Sequence, residues 1–207
     1  MSSVSPRLAF TLNGKPLAAE GVDPHTSLLE FLRSRGLTGS KRGCDEGDCG
    51  ACTVALVDRD AEGRATYRAI NSCLALLPMV AGREIVTVEG IASGSGTAGL
   101  HPVQAAMVEH QASQCGYCTP GFVVSLLEGY HRRDCRTPAD INDQLCGNLC
   151  RCTGYRSIRD AALAALAARG DSLPEGPLAA RLESPAGDPP ELAYRTEQGT
   201  FLRPSSL

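Results

Sequence analysis

Eight of the ten cysteines fall into two sets of four, and that spacing constrains this chain more than any other feature it has. Cys44, Cys49 and Cys52 stand at C-x4-C-x2-C intervals with Cys73 well downstream, while the pairs Cys115/Cys118 and Cys150/Cys152 lie in the second half. A tight loop plus one remote cysteine can aim four thiolates at a small iron-sulfur rhomb, and this spacing is the 2Fe-2S pattern. Zinc also takes four thiolates, but its sites usually pair C-x2-C with C-x2-C. The fold must therefore return residue 73 to the loop at 44–52, and one-electron transfer leads the candidate functions.

The loop itself supports the reading. Gly43, Gly47 and Gly50 punctuate Lys41 to Cys52, and glycine permits the positive φ and close approach that turn amide N–H groups toward cluster sulfurs. Overall composition is that of a globular protein, with 43% apolar residues in 207. Four Phe, five Tyr and no Trp leave thin cores if the chain divides into two small domains, so a bound cluster would also brace each of them. A net charge of -3 with scattered basic residues gives no footprint for nucleic acid. The N-terminus lacks the pattern of a secretory signal and no apolar stretch is long enough to span a bilayer, so no membrane partner is expected. The expected compartment is the cytoplasm, whose reducing conditions favour thiolate ligation over disulfides.

The pattern of apolar residues predicts an α+β chain in two parts. In residues 1–90, Leu8, Phe10 and Leu12 alternate toward the hairpin dipeptide Asn13-Gly14, and Pro16 to Val22 return as a second strand. Ser27 and Glu30 form a capping box for a helix that Gly36 stops. Strands are expected at Thr53 to Val57, Tyr67 to Asn71 and Glu84 to Val88, giving a β-grasp arrangement of a sheet across one helix. Residues 91–100 read as a flexible linker. Four helices should fill 101–169, opened by His101-Pro102, Thr119-Pro120, Thr137-Pro138 and Tyr155. Residues 170–207 read as linker and tail.

This helix map puts Cys115/Cys118 before the second of those helices and Cys150/Cys152 before the fourth. Helix N-termini stabilise thiolates and anionic groups. Cys115-Gly116-Tyr117-Cys118 alone would also suit a thioredoxin-like redox pair. The second pair beside another helix start favours a second cluster, although spacing leaves Cys135 and Cys146 open as ligands.

At these residues the chain resembles the iron-sulfur portion of the xanthine dehydrogenase family of molybdenum hydroxylases. Gly43 to Thr53 resembles the first cluster loop, Asn71-Ser72-Cys73-Leu74 its fourth ligand, Gln114 to Gly121 half of the second site and Gly147 to Tyr155 the other half. The resemblance covers about Leu8 to Ala168. It implies a plant-type 2Fe-2S ferredoxin domain followed by a helical 2Fe-2S domain, and it selects Cys115, Cys118, Cys150 and Cys152 as the second ligand set, leaving out Cys135 and Cys146. It further implies a molybdopterin-binding large subunit that oxidises substrate, an FAD-binding domain or subunit that receives the electrons and hands them to NAD, and a dimer of such assemblies. Gln114 and the backbone of Cys152 become candidates for pterin contact. Thr200 to Leu207 resembles the first strand and turn of the FAD domain in bacterial xanthine dehydrogenase small subunits, and with His101-Pro102-Val103-Gln104 and Leu77-Pro78-Met79 this resemblance points to hypoxanthine or xanthine as substrate. The competing readings are another molybdenum hydroxylase acting on aldehydes or N-heterocycles, a free-standing two-cluster ferredoxin, and a zinc-stabilised interaction module.

Overall fold

The computed structural model describes residues 7–92, 99–172, 174–183, 189 and 191–204. Strands β1 (Arg7–Leu12) and β2 (Lys15–Glu20) form an antiparallel hairpin. Asn13 and Gly14 both take positive φ at its turn, which matches the right-handed twist of the flanking strands. Helix α1 (Leu28–Ser34) is capped by the Ser27 hydroxyl, which accepts from the Glu30 amide. Then come β3 (Thr53–Arg59), β4 (Ala65–Asn71) and β5 (Glu84–Val86), which complete a five-stranded sheet in the order β2-β1-β5-β3-β4. β5 runs parallel to β1 and antiparallel to β3.

The sheet has a different partner on each face. Leu8, Phe10, Leu12, Val54, Leu56 and Ile85 point to α1 and bury Leu28, Phe31 and Leu32. From the other face Ala55, Val57, Tyr67 and Val86 enter a second core shared with the helices. This explains why Thr53 to Val57 are buried without alternation: a strand covered on both faces need not show a polar side.

The helices are α2 (Pro102–Glu109), α3 (Thr119–His131), α4 (Pro138–Leu145) and α5 (Arg156–Arg169). α3 is buried nearly all round, touching β3 and β4 as well as α2, α4 and α5. Its Glu128 carboxylate accepts from the Ala69 amide, which closes the open edge of β4.

Several boundaries differ from expectation. β2 stops at Glu20, β5 is only three residues long and gives way to a 3-10 turn at Val88–Gly90, and α2 stops at Glu109. Most of the linker at 91–100 lies outside the described residues. The stretch at 170–207, read as linker and tail, contains a short helix, α6 (Pro177–Arg181), which buries Leu178 and pairs Arg181 with Glu84 at 2.8 Å. Behind it β6 (Leu192–Thr196) and β7 (Gly199–Arg203) form a hairpin against the α1 side of the sheet, with Tyr194 fully buried and its hydroxyl donating to the Val22 carbonyl.

Candidate metal centres

The loop from Lys41 to Cys52 is held from both ends. Its Lys41 amide donates to the Ala51 carbonyl, and Asn71 Nδ2 reaches back from the end of β4 to the Gly47 carbonyl at 2.5 Å, bringing Cys73 alongside. The sulfurs meet in twos, Cys44 with Cys49 and Cys52 with Cys73. Amides turn inward as the glycine spacing implies: Glu46 N–H donates to Cys44 Sγ and Cys44 N–H to Cys49 Sγ, both at 3.4 Å. The Glu46 amide, followed by that of Cys49, lowers the Cys44 thiol to about 7. Gly43 has no room for a side chain, since a Cβ there would lie 2.6 Å from Cys49 Sγ.

The second set also meets in twos, Cys118 with Cys150 and Cys115 with Cys152. Cys118 is the N-cap of α3. Cys150 and Cys152 precede α5 through a turn in which Tyr155 takes positive φ and its hydroxyl accepts from the Cys150 amide. The Thr153 hydroxyl and amide reach the Cys150 sulfur and lower its thiol despite burial.

Each arrangement fits a binuclear cluster. Sulfurs gathered two and two suit a group that takes two thiolates on each of two irons. Burial pushes the Cys73 and Cys118 thiols up to about 12, helped by the neighbouring cysteine. For Cys118, burial thus outweighs the helix N-terminus, and a positive charge bound at either site would favour the thiolates. Cys135 is buried in the core of the helices, with Arg132, Asp134, Asp140 and Arg169 near enough to act on its charge, and Cys146 is exposed at the end of α4. Neither is drawn into the paired sulfurs. Gln114 is exposed in the turn before Cys115, and Cys152 is exposed near it.

The two loops touch. Leu149 N–H donates to the Cys49 carbonyl at 3.0 Å, Asn148 Nδ2 donates to the Gly50 carbonyl at 3.1 Å, and the Tyr117 hydroxyl donates to the Arg42 carbonyl. Cysteine spacing does not single out Asn148, Leu149 or Tyr117, because their partners lie far away in sequence.

Comparison with known proteins agrees with this geometry. Residues 10–77 match the model of a 2Fe-2S iron-sulfur cluster binding domain, and residues 87–163 match that of a [2Fe-2S] binding domain. A chain in the crystal structure of quinoline 2-oxidoreductase from Pseudomonas putida 86 is 36% identical, with TM-score 0.64, over 80% of this chain and 98% of that one. The chain belongs to the iron-sulfur portion of the xanthine dehydrogenase/aldehyde oxidase family of molybdenum hydroxylases. As in that family, its two domains each bind a 2Fe-2S cluster. Within the family, xanthine dehydrogenase from Dictyostelium discoideum is 43% identical over 160 residues, and that from Oryza sativa subsp. japonica is 51% identical over 140. These matches cover 75% and 66% of this chain but only 12% and 10% of those relatives. The aldehyde oxidoreductase from Desulfovibrio desulfuricans is 35% identical with TM-score 0.68, over 81% of this chain and 18% of that one. The chain thus corresponds to a small part of larger oxidoreductases. Among the described residues no helix is long and apolar enough to cross a membrane.

Proposed function

We propose that this chain is the electron relay of a molybdenum hydroxylase. Cys44, Cys49, Cys52 and Cys73 hold a plant-type cluster in the β-grasp half, and Cys115, Cys118, Cys150 and Cys152 hold the other in the four-helix half. The observation that carries the reading is the hydrogen bond from Leu149 to Cys49, which joins the neighbour of one cysteine set directly to a member of the other. When bound, the clusters supply one-electron storage.

The residues of the chain give the relay a direction. Cys115 and Cys152 open to solvent beside Gln114, whereas Cys118 and Cys150 are half-buried against the helical core. Gln114 and the Cys152 backbone therefore face a molybdopterin carried by a large subunit. The first loop serves an FAD-binding domain or subunit and, beyond it, NAD, all in the cytoplasm.

Hypoxanthine and xanthine are the favoured substrates, in keeping with the xanthine dehydrogenases among the relatives. The solved relatives that oxidise quinoline or aldehydes support a second reading, an N-heterocycle or aldehyde hydroxylase. Purification of the native assembly with metal analysis tests both. NAD reduction driven by xanthine, with molybdenum present, is expected. Activity confined to aldehydes or N-heterocycles selects the second reading, and a chain isolated without molybdenum and active with unrelated partners would overturn both.

A further inference from the structure

We propose that Asn148 is a positioning residue that sets the spacing of the two cysteine loops and thereby governs electron exchange between them. The inference rests on the two-cluster reading and assigns to one side chain a role that the ligand pattern does not. Asn148 is 4% exposed and lies in the turn after α4, two residues before Cys150. Its Oδ1 accepts from the Ser125 hydroxyl of α3 at 2.6 Å, while Nδ2 donates to the Gly50 carbonyl at 3.1 Å and lies 3.5 Å from Thr53 Oγ1. The carboxamide thus has one end on the helical half and the other on the first loop, between Cys49 and Cys52.

The carbonyl it grips has little freedom. Gly50 O also accepts from the Thr53 hydroxyl at 2.6 Å, and a Cβ on Gly121, in the first turn of α3, would lie 2.1 Å from it. Gly50 itself sits at positive φ, and a Cβ there would lie 2.4 Å from both Asn148 Nδ2 and the Gly147 carbonyl. One residue further along on each side is the Leu149–Cys49 hydrogen bond. Gly50 O keeps the Thr53 hydroxyl and amide when the Asn148 donor is lost, but the contact from the helical half goes, and with Asp an acceptor faces it, so the neighbouring bond between loops should lengthen or open. No cysteine is touched by the change. The expected signature is therefore two intact clusters that sense each other less.

The test uses the full chain loaded with iron. Asn148→Asp keeps the shape and the acceptor for Ser125 but removes the donor to Gly50, and Gly121→Ala drives a wedge against the same carbonyl from α3. Electron paramagnetic resonance of the fully reduced protein reads the magnetic splitting between clusters, and hydrogen exchange reads the Leu149 amide. Both variants should keep about four iron per chain and each cluster's own resonances, while the splitting shrinks and the Leu149 amide exchanges roughly tenfold faster. If Asn148→Asp fails to fold, Ser125→Ala replaces it, with the same signature expected in weaker form. Unchanged splitting and unchanged Leu149 exchange in the folded variants would overturn the proposal. Wild-type protein without iron would overturn the cluster reading and the proposal with it.

Discussion

An alanine at Gly43 would push its methyl group into the Cys49 sulfur, so the smallest possible substitution should empty the first site. Gly43→Ala is expected to lower iron from about four to about two per chain while the second cluster's spectrum persists. The two remaining cysteines separate differently. Cys146→Ser, at an exposed position, should change neither iron content nor stability. Cys135→Ser should keep both clusters yet cost about 1–3 kcal/mol in denaturant unfolding, since it puts a hydroxyl into an apolar core.

His101 and His131 add a pH dependence. They stack at 5.9 Å beside Tyr67 and Tyr130, Nδ1 of His101 accepts from the Val103 amide, and His131 Nε2 is buried without a hydrogen-bond partner among the described residues. Burial lowers their pKa to about 4 and about 3. Both are neutral in the fold, whereas the unfolded chain binds protons below about pH 6.5. Their contribution is therefore full above about 6.5 and is lost as pH falls toward 4 and then 3. For His131 alone the loss at pH 5 is on the order of 2 kcal/mol. His131→Phe should flatten the slope of stability against pH between 6.5 and 4, measured by urea unfolding. An unchanged slope would count against the assignment.

At the scale of elements, the hairpin β6-β7 is a structural part of the ferredoxin half. Tyr194 fills the core on the α1 side, and Arg203 donates to the Met79 and Ala81 carbonyls. Tyr194→Ala should destabilise that half by about 3–5 kcal/mol and release its cluster on heating before that of the helical half. This packing was not legible in the sequence, because α6 is too short to show a period and Tyr194 finds its partners more than a hundred residues away. The local signals were legible: the Asn13-Gly14 turn and the Pro starts of α2, α3 and α4 occur as read, and Ser27 caps α1 although Glu30 does not complete the capping box. In the candidate sites, spacing picked out the cysteines because ligands in one loop are neighbours in sequence. It could not pick out Asn148, whose importance comes from a carbonyl on another domain.

For the whole molecule, the two sites in contact predict an order of electron flow. In an assembled complex, Cys49→Ser should leave substrate able to reduce molybdenum and the second cluster while NAD reduction collapses. Cys115→Ser should stop reduction of everything beyond molybdenum. Rapid-mixing spectroscopy reads each centre, and fast FAD reduction in the Cys115→Ser complex would sink the serial order.

The close fit of Gly121 over the Gly50 carbonyl has a consequence for how the protein is made. The four cysteines of the first set have all been synthesised once Cys73 is made, whereas the second set waits for Cys152 and must close onto the first loop. If the sites fill as their ligands are made, maturation runs from the N-terminal site to the later one. A cell short of iron should accumulate chains filled at the first site and empty at the second.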